Sequence, residues 1–266
     1  MKTNVNRPVT VVAFFDFVCP WSYLTKSRVE RALHRTKTKA IVQWVPFELY
    51  EHNGNHRVHR RKIMGNEHLT KVYAQLHELG MRENLLIQHP RYEHSSRRAL
   101  TGFLYAQKKG VGNRYLDEIF AHTFEHVNEI SSLALLGRVA VKLGLDAEEM
   151  ITFIEKSSNQ ELIQRYTSEA KQNGVRGLPT YIVNDLPVTG ALSTNDWVDI
   201  FQSAQRNEMP AFLLPLPKKI IPPSAPRKKK TVKTITKTVT ITKMKKTTIQ
   251  KRSPAKKHKK KTKKRR

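Results

Sequence analysis

The chain has 266 residues, with 49 Lys and Arg against 22 Asp and Glu and a formal net charge of +27. Its single cysteine excludes an intramolecular disulfide framework, and no apolar run reaches the roughly 20 residues of a membrane-spanning helix. The charge is uneven: residues 218–266 hold 22 basic side chains and no acid, leaving a body with 27 basic against 22 acidic residues, long enough for one sizeable core.

The apolar run that begins at Val9 is interrupted by Asp16 and lacks a small-residue cleavage site, so no signal peptide is expected. Val9 to Phe15 is apolar on both faces and rich in β-branched residues, which predicts a central strand. Residues 20 to about 36 read as a helix with Leu24, Val29, Ala32 and Leu33 on its buried side; Pro20 suits its start, where a missing N–H costs nothing. Ala40 to Phe47 reads as a second strand, and strand, helix, strand with one crossover predicts a parallel pair. Residues 66–172 then turn helical. One stripe is Leu69, Val72, Tyr73, Leu76 and Leu79, ending at Gly80; a second is Leu116, Ile119, Phe120, Phe124 and Val127; a third is Leu133, Leu136, Val139, Ala140 and Leu143, closed by Gly144. Asp146 with Glu149 reads as a capping box, and Asn173-Gly174 stops the last helix.

Strand character returns in Thr180 to Val183 and around Val188, flanking a turn at Asn184-Asp185-Leu186-Pro187. Asn195 or Thr194 is expected to cap a final helix carrying Trp197, Ile200, Phe201 and Ala204. The second group of strands needs the first to complete a sheet, so the helical block reads as an insertion within one domain. Residues 209–226 hold six prolines and read as a stiff linker. Residues 227–266, dense in Lys and Arg and without aromatics, read as a disordered tail.

Cys19 lies in Cys19-Pro20-Trp21-Ser22, directly after the first strand. A thiol there stands at the first turn of a helix, whose unpaired N–H groups and dipole favour the thiolate, so a pKa below about 8.5 is expected. Ser22 occupies the place of the second cysteine of a Cys-x-x-Cys pair. Asp16, three residues earlier, reads equally as a group tuning the thiol and as a cap or turn residue. Trp21 is expected to be exposed beside the sulfur as part of a substrate surface.

The run Phe15-Asp16-Phe17-Val18-Cys19-Pro20-Trp21-Ser22-Tyr23-Leu24 resembles the active-site entry of the DsbA-like thioredoxin superfamily, most closely its FrnE-type oxidoreductases. Agreement continues through Trp44-Val45-Pro46-Phe47-Glu48-Leu49, the helical block, Gly174-Val175-Arg176-Gly177-Leu178-Pro179-Thr180 and Val188-Thr189-Gly190-Ala191, in order over about residues 9–206. The resemblance implies an α/β thioredoxin fold with an all-helical insertion in a domain of residues 1–208, its thioredoxin parts at about 8–60 and 173–206 and the insertion at about 66–172. It implies Cys19 as the attacking thiol and Pro179 as a cis-proline facing it. Leu178 would present its backbone to an extended substrate, with Pro20 and Trp21 on the same surface.

Ser22 is the departure. FrnE-type enzymes carry a cysteine there, and a serine cannot expel a mixed disulfide, so Cys19 would depend on an external thiol. Ser22 can still donate a hydrogen bond to the thiolate. The related 2-hydroxychromene-2-carboxylate isomerases and kappa-class glutathione transferases carry serine at both positions and use glutathione. The implied activity is a cytoplasmic thiol–disulfide oxidoreductase with monothiol chemistry at Cys19. Its substrate is a disulfide-bearing protein or small thiol; it has no tightly bound cofactor and uses a low-molecular-weight thiol such as glutathione. The alternatives are a glutathione-type isomerase or transferase, and a non-redox polyanion- or DNA-binding protein that keeps a degenerate thioredoxin domain as a docking module.

His122-Thr123-Phe124-Glu125-His126 matches a zinc-binding pattern, but no third ligand is evident and Phe124 belongs to a core stripe, so a structural role is expected. Glu51, His52, His56 and His59 read as a solvated surface around Asn53-Gly54-Asn55. In the tail, the lysine runs at 228–230 and 256–261 and Ser253-Pro254-Ala255-Lys256-Lys257 resemble linker-histone-like tails. Such a tail binds nucleic acid or another polyanion by counterion release, and would place the protein on the nucleoid. Without aromatics it has nothing to stack on bases.

Overall fold

Val9–Phe15 forms strand β1 in the computed structural model, which describes residues 8–50, 58–59, 65–90, 92–208 and 210. The chain continues through α1 (Pro20–Thr36), β2 (Ala40–Pro46), β3 (Val58–His59), α2 (Asn66–Arg82), β4 (Tyr92–Glu93), α3 (Arg97–Lys108) and α4 (Gly112–Phe124). It then passes through α5 (Leu133–Lys142), α6 (Ala147–Glu155), α7 (Ser157–Gln172), β5 (Thr180–Val183), β6 (Leu186–Thr189) and α8 (Thr194–Arg206). β1 and β2 run parallel, from Val9 opposite Ala40 to Phe15 opposite Pro46, as a helical crossover requires. β5 returns antiparallel to β1 and β6 antiparallel to β5, so the main sheet has the order β2-β1-β5-β6. The linker and tail expected beyond residue 208 lie outside the described residues, apart from Pro210.

Alternation along β1 divides its side chains between two cores. Val9, Val11, Ala13 and Phe15 join α1, Trp197 and Phe201 of α8, and the helical insertion. Phe14 faces the other way and packs with Val45, Phe47, Ile182, Val175 and Ala170 of α7, with Leu178 against the edge of that cluster. Phe15 is the hub between sheet and insertion. Its ring lies edge-on to Phe17 and Phe103, each at 5.1 Å, and to Trp44 at 5.8 Å. Each such pair adds roughly 0.5–1.5 kcal/mol beyond the area it buries. Buried Arg28 of α1 fastens the loop before α8 by donating to Ala191 O at 3.0 Å and Leu192 O at 3.1 Å, and holds the end of α2 through Glu83 at 3.1 Å.

Several boundaries differ from the sequence reading. The insertion is not all helical, because Tyr92–Glu93 forms a two-residue strand antiparallel to Val58–His59. α2 runs past Gly80 to Arg82, and Gly80 is needed for close approach instead: a Cβ there would meet Leu85 O at 2.7 Å. α4 ends at Phe124, so Val127 falls beyond the stripe, exposed and at φ 53°. Asp146 caps α6 by accepting from Glu149 N, but the Glu149 carboxylate turns to Tyr105 and Lys109, leaving the box half made. The complete capping box belongs to α8, where Ser193 and Asp196 bond reciprocally one residue before the expected cap. The hairpin turn is Asn184-Asp185, at φ 44° and 69°, and Pro187 sits within β6, an edge strand that tolerates a missing N–H.

Candidate active site

The end of β1 and the start of α1 position Cys19 as the N-cap of α1, with Pro20 at the first helical position and no acidic residue in the first turn. Its backbone is extended (φ −91°, ψ 107°), and its N–H donates to Asp16 O at 3.1 Å, closing the loop. The thiol points at the segment before β5 and donates to Leu178 O at 3.9 Å, 159 residues away in sequence. The Leu178–Pro179 peptide is cis. Pro20 and Ser22 are buried beside the sulfur, whereas Trp21 and Leu178 are half-buried. Trp21 packs against the main core and is less open than the sequence reading expects. A cavity of about 160 Å³ lies against Val18 and is lined also by Pro90, Tyr92, His94, Thr123 and Val127.

The electrostatics overturn the expectation of a low thiol pKa. Cys19 is 3% exposed, and burial pushes its thiol up to about 11. The Ser22 hydroxyl and the N–H groups of Ser22 and Trp21 pull the other way, and the negative charge of Asp16 adds to the rise. The helix terminus does favour the thiolate, but desolvation of a charged sulfur is the larger effect here. Ser22 Oγ is itself buried and, among the described residues, makes no hydrogen bond other than this contact with the sulfur. Its hydroxyl is therefore free to turn onto a charged sulfur.

Beneath the loop, Asp16 is fully buried. One carboxylate oxygen accepts from Leu49 N at 2.7 Å and the other from Val18 N at 3.4 Å. Burial raises its pKa to about 7, against hydrogen bonds from Leu49, Ser96 and Val18 that lower it and a Glu48 charge that raises it further. Glu48 is itself 0% exposed and accepts a forked pair from Arg97 at 3.0 and 2.7 Å. The sequence reading missed Ser96, Glu48 and Arg97 as neighbours of the site. Glu48 was the one available signal, an acid directly after an apolar strand, but its cation lies 49 residues on.

The other candidates do not assemble. His122 and His126 have ring centroids 5.6 Å apart, but His122 Nδ1 meets Asn128 and the Glu125 carboxylate accepts from Tyr23. Among the described residues no group of three or more His, Cys, Asp or Glu could hold a metal ion. Glu51, His52 and His56 lie outside the described residues, as do the side chain of His59 and the tail. Among the described residues no helix is long and apolar enough to cross a membrane.

Comparison with known proteins agrees with this fold. An uncharacterized protein, YwbO of Bacillus subtilis, is 24% identical over 206 residues, covering 75% of this chain and 97% of its own. Among solved structures, the probable DsbA oxidoreductase SCO1869 from Streptomyces coelicolor superposes with a TM-score of 0.67 at 22% identity, covering 77% of this chain and 94% of that one. A 2-hydroxychromene-2-carboxylate isomerase gives a TM-score of 0.60 at 20% identity over 74% of this chain and 95% of its own. The cytosolic disulfide reductase DsbM from Pseudomonas aeruginosa, solved alone and with GSH, gives 0.53 at 14% identity over 74% of this chain and 95% of its own. The DSBA-like thioredoxin domain matches residues 10–204, and with Cys19 at the head of α1 facing Leu178 the chain belongs to that family.

Proposed function

We propose that this protein is a cytoplasmic thiol–disulfide exchange enzyme that works through Cys19 alone and returns to its starting state with an external low-molecular-weight thiol of the glutathione type. The Cys19 thiolate attacks one sulfur of a disulfide. A bond forms between Cys19 and that sulfur, the original S–S bond breaks, and its electron pair leaves with the departing thiolate, which takes up a proton. Ser22 carries no second sulfur to displace the adduct, so a thiolate from solution attacks the mixed disulfide and releases Cys19. Ser22 and the N–H groups at the head of α1 steady the negative sulfur. Pro20, Trp21, Leu178 and Pro179 form the surface against which the substrate lies, with the cavity beside Val18 as room for a side chain.

The observation that carries this reading is Cys19 Sγ facing Leu178 O at 3.9 Å from the N-terminus of a helix. A DsbM structure bearing GSH supports the choice of co-substrate, and a lone cysteine suits a reducing compartment. The test is turnover of a peptide–glutathione mixed disulfide with glutathione as the second thiol. Full-length protein should accelerate release of the peptide thiol, and Cys19→Ser should lose the acceleration; equal rates would overturn the proposal.

The burial of the sulfur favours a second reading, in which the thioredoxin domain only docks and the basic tail at 227–266 holds the protein on nucleic acid or another polyanion. That reading predicts binding to duplex DNA that weakens steeply as salt rises, together with no turnover in the exchange assay. Isomerisation or transfer with glutathione, without net exchange, is the remaining outcome of the same assay.

A further inference from the structure

A cavity of about 210 Å³ opens at the edge of the main sheet, between β2 and the turn that joins α3 to α4. Its walls include Val42 and Trp44 of β2, Phe103 and Gln107 of α3, and Gly112 and Arg114 at the head of α4. No carboxylate lines it, and α4 has no acidic residue in its first turn. Val111, the N-cap, has no side chain that can bond, so the N–H groups of Gly112, Asn113 and Arg114 have no hydrogen-bond partner among the described residues. Such a helix start carries partial positive charge on its free donors. The Arg114 side chain is exposed and makes no ion pair among the described residues. Trp44 supplies a further donor from the opposite wall. It is 6% exposed, yet its indole N–H makes no hydrogen bond among the described residues. That N–H is not sealed by protein, as Nε1 of Trp197 is. The indole lines the cavity, so its open donor edge faces that space.

We propose that this cavity binds the phosphate group of a small molecule, at a site separate from the Cys19–Leu178 surface. The phosphate oxygens accept from the N–H groups at the head of α4 and from Trp44 Nε1, and the Arg114 guanidinium closes over them with charge-assisted hydrogen bonds. The helix start and the arginine both favour negative charge there, and no lining carboxylate opposes it. Size limits the rest of the ligand. At about 30 Å³ per water, the space equals roughly seven waters. That holds a phosphate with a few further atoms and falls below the range of about 300–1,000 Å³ typical of larger ligands. Val42 and the Phe103 ring offer an apolar wall to the carbon atoms of an ester. Trp44 lies opposite Ala13 in β1, whereas Cys19 follows the far end of that strand, so phosphate binding leaves the sulfur uncovered.

The test is a titration of the full-length, nitrogen-labelled protein with inorganic phosphate, followed by heteronuclear NMR, with sodium chloride at equal ionic strength as the control. The chain has three tryptophans, so three indole signals are read together. Phosphate should shift the Trp44 indole signal and the Gly112, Asn113 and Arg114 amide signals along one saturating curve, while the Trp21 and Trp197 signals stay in place. Reading these signals separates the cavity from phosphate attracted to the lysines of 227–266. Arg114→Gln should weaken binding about tenfold without changing the thermal melt. Trp44→Phe keeps an aromatic ring against Phe15 and removes the donor, so the amide signals should titrate about three- to tenfold more weakly. A phosphate monoester, glycerol phosphate, that binds more tightly than inorganic phosphate assigns an ester as the ligand; equal or weaker binding assigns free phosphate. The absence of a saturating shift at the Trp44 indole would overturn the proposal, and so would an Arg114→Gln protein with the wild-type midpoint.

Discussion

Arg97→Ala should be the most damaging single change near the site that leaves every hydrophobic contact of the sheet in place. Arg97 stands at the first turn of α3 with its side chain 17% exposed, and its forked bonds go to a Glu48 carboxylate that is 0% exposed. Losing the guanidinium takes a forked pair of bonds from a buried carboxylate, and breaking a buried pair in this way costs about 3–5 kcal/mol. Partial exposure of the guanidinium places the loss near the lower end, about 3 kcal/mol. For a domain of this size one kcal/mol moves Tm by about 2–4 °C, so a fall of roughly 6–12 °C is expected. A carboxylate that has lost these bonds is the form that burial penalises, so the deficit should shrink as pH falls towards carboxylate protonation. Replacing both partners, Glu48→Gln with Arg97→Met, should recover most of the loss. Thermal melts followed by circular dichroism at several pH values decide the matter. A single variant within about 1 kcal/mol of wild type, or a deficit that grows as the solution is acidified, would refute the reasoning.

Other outcomes follow from the same geometry. Ser22→Cys would place a second sulfur one turn from Cys19 at the head of α1; its mixed disulfides should resolve without added thiol, seen as adducts too short-lived to isolate. Gly80→Ala should destabilise by about 1–3 kcal/mol, measured by urea unfolding, because its Cβ would lie 2.7 Å from Leu85 O. Asp16 has a folded pKa of about 7 against an ordinary 3.8. The fold therefore favours its neutral form, and stability should decline as pH rises from about 4 to about 7, by on the order of 4 kcal/mol from this group. Asp16→Asn should flatten that part of the stability curve, and an unchanged slope would contradict the assignment.

Most of the fold is legible in the residues because the local patterns agree with one another. Val9 to Phe15 is apolar enough to be central, Pro20 marks a helix start, and a single crossover leaves only a parallel pair. The boundaries that escaped depend on contacts distant in sequence. Gly80 reads as a stop, but it is small because the Leu85 carbonyl folds over it. Tyr92–Glu93 is too short to show alternation and exists by pairing with Val58–His59. At the site, the placement of Cys19 against Leu178 followed from the family pattern, whereas its protonation did not. A helix N-terminus is visible in sequence; the burial that dehydrates the sulfur, 3% exposed, depends on how distant parts of the chain pack over it. The environment of Asp16 was hidden for the same reason, being assembled from Leu49, Ser96 and Glu48 across two further elements.

The most direct measurement is intact-mass analysis of the full-length protein after incubation with glutathione disulfide, before and after glutathione is added. The account predicts one glutathione adduct, located on Cys19, formed by the folded protein and removed by free glutathione. No adduct on the folded chain, when the same sulfur accepts one in denaturant, would show that the thiol is sealed and contradict an exchange function.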